Sequence, residues 1–365
     1  KIILNKYKNL NVFCNKNILI NFIVAFFQIL NSALKIILFS GFMLLAKKKN
    51  RKKKFKNKKI ILIETFFSKN LIINDQFKER YHKGLFKKLS KAQRKDCFFF
   101  PINLSIFYIF KFLRITKNEK INYLHLLDYL KIQDYFKSIF ILPSLGKIDC
   151  KKIVFDQYKI GIIINYYKFV SYFNESSFLA NLNFHFLKRL KEEKIDIKLI
   201  IDWYENQIID KGLILGKNTF YPKTKIKGHV GFVNDFKNIH HYTPTKLEKK
   251  LKVLPDEVLI ISKALYFYLS KKIKFLNFKI VPAIRNERIF NIKKIYTQSF
   301  YKKNKNLLFV LSSNQEEADF IFNLIQENLD WLRLNNYKIT LKTHSNIKLN
   351  SFINDNKKIL IYKKD

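Results

Sequence analysis

The chain has 365 residues, 48% of them hydrophobic, with 70 Lys and Arg against 28 Asp and Glu. That length suits about two domains, and the apolar content excludes a disordered polypeptide. The three cysteines, Cys14, Cys97 and Cys150, lie too far apart for a zinc motif or a disulfide framework, so a reducing, cytosolic setting is expected.

The formal net charge of +42 invites a nucleic-acid reading. Only eight of the basic residues are Arg, however, and the lysines are scattered over every segment. Specific nucleic-acid sites favour the bidentate guanidinium. Lys, Asn, Ile and Phe are all abundant here and all have A/T-rich codons. Compositional drift, attraction to an anionic membrane surface or substrate, and nucleic-acid binding stay open, the last least favoured. The sequence opens on Lys1 and stops at Asp365 just after an apolar run, Ile359 to Tyr362. Both ends read as cuts.

Residues 17–46 are the most apolar stretch. Asn17, Asn21, Gln28, Asn31, Ser32 and Lys35 interrupt it and fall on one side of a helical wheel. Lys47 to Lys59 follows, with ten basic residues in thirteen. Residues 1–59 therefore read as an apolar, amphipathic helix with a polybasic flank. It is expected to lie at a membrane interface, on the cytoplasmic side of the plasma membrane. A core helix and a true membrane span are the alternatives. No small-residue cleavage site marks it as a signal peptide.

From Ile60 the pattern predicts strands at Ile60 to Glu64 and Cys97 to Pro101, and two helices in residues 102–142. A helix over Phe178 to Glu193, capped by Ser176 or Ser177, leads into a strand at Ile195 to Asp202. A helix over Glu205 to Gly216 and a short strand at Lys225 to Gly228 come next. Pro244 and Pro255 mark a boundary. Strands at Glu257 to Ser262 and Phe278 to Pro282 flank a helix at Ala264 to Lys272. A linker follows, then a strand at Leu307 to Ser312, a helix at Gln315 to Leu334 and a strand at Lys338 to Lys342. This alternation predicts an α/β chain with two parallel units, 60–250 and a partial 251–365.

The chemistry concentrates after the apolar run Ile197 to Ile201. There stand Asp202, Trp203, Tyr204, Glu205, Asn206 and Gln207, at the carboxyl end of a predicted strand. Four of the chain's eight glycines, Gly212, Gly216, Gly228 and Gly231, follow closely. Glu205, beside two bulky aromatics, is the candidate general base. Asp202 is a second catalytic candidate, or else a helix cap. Trp203 and Asn206 are candidate substrate ligands. Gly228 and Gly231 would let a ligand come close, and His229 between them is a base or a plain turn histidine. Lys342 and His344 follow a strand where a phosphate could dock. Arg285, in a chain poor in arginine, is a diphosphate clamp or an ion-pair partner. No Gly-rich phosphate loop, nucleophile elbow or zinc motif is present, so neither a metal nor a bound cofactor is expected.

Taken in order, several stretches resemble bacterial surface carbohydrate biosynthesis proteins, glycosyltransferases of the GT-B type. They are Ile61-Leu62-Ile63-Glu64-Thr65, Arg80-Tyr81-His82-Lys83-Gly84-Leu85, Asp202-Trp203-Tyr204-Glu205-Asn206-Gln207 with Asp210-Lys211-Gly212, Tyr221-Pro222 and Gly228-His229-Val230-Gly231-Phe232. Val253-Leu254-Pro255, Val281-Pro282-Ala283-Ile284-Arg285 and Lys342-Thr343-His344-Ser345 continue the pattern. Ser345 stands where the family favours Pro.

The resemblance implies two Rossmann-like domains facing a cleft, the C-terminal one incomplete here. It implies a nucleotide-sugar donor as substrate and a glycan or lipid-linked acceptor. Glu205 would be base or acceptor ligand, with Lys342 and His344 facing the donor phosphate. A non-catalytic membrane-associated scaffold, or a truncated and decayed transferase, is the alternative.

Overall fold

In a computed structural model, the described residues are 18–47, 59–67, most of 71–141, 154–155, 158–159, 161, 164, 174–231, 243–286, most of 305–342, and 359–362. They form two compact units, 1–287 and 288–365.

Helix α1 (Ile18–Lys47) precedes strand β1 (Lys59–Phe67) and a small hairpin, β2 (Ile72–Ile73) and β3 (Gln76–Phe77). Short helices α2 (Leu85–Lys88) and α3 (Lys91–Asp96) lead to β4 (Cys97–Asn103). Helices α4 (Ile109–Lys117), α5 (Leu126–Tyr129) and α6 (Ile132–Phe140) follow, then the hairpin β5 (Val154–Phe155) and β6 (Tyr158–Lys159). Next come α7 (Glu175–Glu192), β7 (Asp196–Asp202), α8 (Ile208–Phe220) and β8 (Lys225–Val230). Helix α9 (Lys246–Lys250), β9 (Glu257–Ile260), α10 (Lys263–Lys272), β10 (Asn277–Ile280) and a 3-10 turn (Ile284–Asn286) complete the unit.

Its frame is a six-stranded sheet, in spatial order β10-β9-β8-β7-β1-β4, with every pairing parallel. The chain first steps outward from β1 to β4, then returns to β7 on the other side of β1 and continues through β8, β9 and β10. The strand order thus reverses between β1 and β7. In open α/β sheets, the crevice outside the carboxyl ends of the strands at such a reversal is the usual ligand position.

The strands are apolar runs because helices bury them, as parallel sheets require. Ile60, Leu62, Phe98, Phe100, Ile200 and Ile226 are all buried in one core with Leu182, Phe186, Leu187 and Leu213. Phe100 stacks on Phe186 with ring centroids 4.7 Å apart. Helices α7 and α8 meet closely at Gly212, where an added Cβ would lie 1.9 Å from the Ala180 carbonyl oxygen. The cap of α7 is Asn174, not Ser176 or Ser177. Its Oδ1 accepts from both serine N–H groups, at 2.8 and 3.2 Å, because an Asx side chain reaches the N2 and N3 amides that open the helix. Helix α6 is fixed to α7 by a buried two-pronged pair, in which Arg189 Nε and Nη2 donate to Asp134 at 2.8 and 2.7 Å.

Helix α1 is neither a core helix nor free of the domain. Ile36, Phe39 and Met43 join the main core, and Phe39 meets Phe178 of α7 edge-on at 6.1 Å. Its opposite face is exposed and apolar.

Strands β9 and β10, expected to begin a second domain at residue 251, are the fifth and sixth strands of the first sheet. The division between units falls at 287/288. Pro244 and Pro255 frame a crossover within a sheet rather than a domain boundary. The second unit has β11 (Asn306–Val310), α11 (Gln315–Glu327), α12 (Leu329–Leu334), β12 (Lys338–Lys342) and β13 (Ile359–Tyr362). Its three strands pair in parallel, in order β11-β12-β13. Ile325, Leu329, Leu332, Ile339 and Leu341 form its core, while Leu308 and Val310 stay exposed on β11.

Candidate active site at the strand-order reversal

Three buried carboxyls lie where β1 and β7 part. Glu64 is in β1 next to Ile63, which pairs with Ile201; Asp202 ends β7; Asp210 is in the first turn of α8. One carboxyl oxygen from each lies within 4.8 Å of the others.

Asp210 has a structural task. Its Oδ2 accepts from the backbone N–H of Glu205 at 3.0 Å and of Gln207 at 2.8 Å, closing the start of α8. Asp202 is therefore not the helix cap. Both of its oxygens are buried without a donor, as is Glu64 Oε1, while Glu64 Oε2 accepts from Trp203 N at 3.2 Å. Burial, then the neighbouring Asp202, lifts the Glu64 carboxyl well above the usual range. Burial also raises Asp202 and Asp210. A protonated Glu64 donating to Asp202 satisfies both groups and removes one charge from the interior. By distance, the same three carboxyls are the set that could hold a cation among the described residues.

Beside the acids is a cluster of rings around Trp203. Tyr81, His82 and His229 meet its ring at centroid distances of 4.8, 5.7 and 5.4 Å. The two imidazoles are 5.4 Å apart. The Arg285 guanidinium, from the turn after β10, stands 5.5 Å from the Trp203 ring and 5.7 Å from Tyr81. His82 Nε2 lies 3.0 Å from the Glu64 carbonyl, which can only accept, so Nε2 carries the proton. Burial pushes His82 down to about 4, against the opposing effect of that hydrogen bond. Burial, with His82 adding to it, pushes His229 down to about 3. Both rings are neutral at pH 7.

Glu79 organises the loop that carries Tyr81 and His82. Its Oε1 accepts from Thr65 Oγ1, Tyr81 N and His82 N at 2.9, 2.7 and 2.9 Å. Burial raises its carboxyl.

Glu205 lies on the partly exposed rim. Trp203 Nε1 donates to its Oε1 at 2.8 Å and Gln207 Nε2 to its Oε2 at 2.7 Å. Asn206 adopts a left-handed φ of 56°, a conformation Asn tolerates better than most residues. Its Oδ1 accepts from Tyr204 Oη at 2.8 Å and from Lys211 Nζ, which also pairs with Glu248 at 2.8 Å.

Trp203, Glu205, His229 and Arg285 are thus brought together with Asp202 and Asn206. Two glycines serve a different end from the one expected. A Cβ on Gly231 would stand 2.0 Å from the Trp203 ring, and one on Gly228 would stand 2.8 Å from Tyr204. Their missing side chains make room for aromatics, not for a ligand. Trp203, Asp202 and Glu64 are completely buried. The rim open to solvent is Tyr81, Glu205, Asn206, Lys211 and Arg285. Lys342 is exposed at the end of β12 in the second unit, and His344 lies outside the described residues.

Glu64, Glu79, His82 and Asp210 were missed as site residues. Glu64 had a readable signal, a carboxylate inside the run Ile61-Leu62-Ile63-Glu64-Thr65, where a parallel strand should carry none. No protein-family model matches the chain, and no curated protein matches it either.

Proposed function

We propose that this chain is a glycosyltransferase-like protein of surface polysaccharide assembly, moving a sugar from a nucleotide donor to a glycan or lipid-linked acceptor. The observation that carries this reading is the convergence of Trp203, Glu205, His229 and Arg285 where the strand order reverses. Three separate chain segments supply them. In this reading the first unit, with its six-stranded parallel sheet, is a Rossmann-like lobe of a GT-B enzyme.

Glu205 takes the proton from the acceptor hydroxyl as its oxygen attacks the anomeric carbon. The bond from that carbon to the donor phosphate breaks, and the nucleotide leaves with the electron pair. Arg285 balances the charge on the leaving group. Neutral His82 and His229 offer hydrogen bonds without adding charge.

Glu205→Ala and Arg285→Ala should each abolish most surface glycan, at least about a hundredfold in rate, while exposed Lys279→Ala leaves it intact. Wild-type glycan from folded Glu205→Ala and Arg285→Ala proteins would overturn the reading. One observation favours a non-catalytic role instead: Asp202, Trp203 and Glu64 are sealed from solvent. Release of nucleoside diphosphate from any nucleotide sugar in a donor panel would exclude that alternative.

A further inference from the structure

Helix α1 divides into three sectors. At 100° per residue, Ile23, Phe26, Phe27, Leu30, Leu34, Ile37, Leu38 and Leu45, all exposed, fall within an arc of roughly 120°. Ile36, Phe39, Ser40 and Met43, all buried, occupy the opposite side. Gln28, Asn31 and Lys35 lie along one edge between them, and Lys35 reaches Glu175 at the start of α7 at 3.4 Å. Phe26–Leu45 is long and apolar enough to cross a bilayer, a length and composition that the core helix of a soluble protein can share. The buried sector decides the orientation. A helix held to a domain through Ile36, Phe39 and Met43 cannot stand across a membrane while so packed.

Helix α6 adds a second apolar stripe. Ile132, Phe136 and Phe140 are exposed at i, i+4 and i+8, followed by exposed Ile141, and Phe136 stacks on Phe140. Its inner side, through Asp134 and Arg189, is fixed to α7, as is that of α1 through Phe39 and Phe178. Both helices pack on α7, and on each the exposed apolar residues lie on the side of the helix opposite the buried ones. Lys131 and Lys137 of this face are exposed, Lys35 is exposed but paired with Glu175, and the sequence that follows α1 is strongly basic, with ten Lys or Arg in the thirteen residues from Lys47 to Lys59.

We infer that α1 and α6 together form a monotopic docking face for an anionic lipid bilayer. The helices lie in the plane of the interface with their apolar sectors among the acyl chains, and the lysines meet the headgroups. The inference stands apart from the sugar-transfer reading, because binding is read without turnover.

The full chain would be floated with vesicles of phosphatidylcholine alone or with about one-third phosphatidylglycerol. Two double variants, Phe27→Glu with Leu34→Glu and Phe136→Glu with Phe140→Glu, alter only exposed positions; unchanged circular dichroism would show that they fold. Co-flotation should need the anionic lipid, weaken with salt, and fall at least about tenfold in each variant. Three results would overturn the inference. One is equal flotation of wild type and both variants. Another is resistance to alkaline carbonate washing of cell membranes, which marks a span. The third is a lipid-free dimer, broken by the same substitutions, in a chain that ignores vesicles.

Discussion

Glu64 and Asp202 end up side by side on adjacent parallel strands, their carboxyl oxygens within 4.8 Å, with no basic side chain hydrogen-bonded to either among the described residues. Burying two carboxylates so costs more than their surroundings return, unless one carries a proton. The folded state thus holds Glu64 protonated at a pH where the unfolded chain does not. That contribution to stability is complete at low pH and disappears as the pH rises through the raised value.

Glu64→Gln keeps a donor towards Asp202 and an acceptor for Trp203 N without titrating. It should stabilise the protein by roughly 1–3 kcal/mol at pH 8, with the gain shrinking towards pH 5. Denaturant melts at the two values check this. A variant less stable than wild type at pH 8 would show that Glu64 is ionised in the fold.

The paired imidazoles act in the opposite sense. An unfolded histidine takes up its proton near pH 6.5, whereas folded His82 waits until about 4 and His229 until about 3. Between those values the unfolded state binds more protons, so these rings reduce stability as the pH falls, by roughly 2 kcal/mol each at pH 5. Imidazole resonances from both should stay unshifted from pH 8 to pH 5. Titration of either near 6.5 would mean that the ring cluster opens to water.

Gly231→Ala places a methyl group where the Trp203 ring stands, 2.0 Å away. The ring is closed in by Tyr81, His82 and His229 and has little room to move. A loss of about 1–3 kcal/mol is expected, together with a red shift of Trp203 emission. Exposed Gly41 has nothing within 4 Å of an added Cβ and offers the control. Gly41→Ala should be neutral or slightly stabilising, since Ala is the better helix former.

The Asp134–Arg189 pair is buried and doubly hydrogen-bonded. Burial works against the Asp134 charge, but Arg189 and the Lys131 amide hold the carboxyl below its ordinary value. Arg189→Met alone leaves an uncompensated buried carboxylate and should cost about 3–5 kcal/mol. Asp134→Leu with Arg189→Met should cost clearly less. Additive losses in this cycle would show that the two groups act independently.

The strands of the six-stranded sheet were legible, because parallel strands are nearly continuous apolar runs, but residues 102–142 hold three helices rather than the two expected, and the short hairpins at 72–77 and 154–159 were not foreseen. Which strands share a sheet was not legible. Glu257 to Ile260 pairs with Lys227 to Val230, a long-range choice that local periodicity does not encode, and two prolines imitated a domain boundary. Trp203, Glu205, His229 and Arg285, which the fold brings near one another, stood out in the sequence because rare residue types follow predicted strands. Glu64, Glu79 and His82 did not, since their importance lies in what β1 and its following loop approach across the sheet. The glycines were noticed for a sound reason, close approach, but the approaching group is the protein's own Trp203 or Tyr204.

The way α1 is attached has a practical side. Cutting away residues 18–47 is the obvious route to a better-behaved sample. Here it would strip Ile36, Phe39 and Met43 from the hydrophobic interior and leave Phe178 and its neighbours wet. The trimmed protein would then exchange one greasy surface for another, and detergent or lipid nanodiscs would serve purification better than scissors.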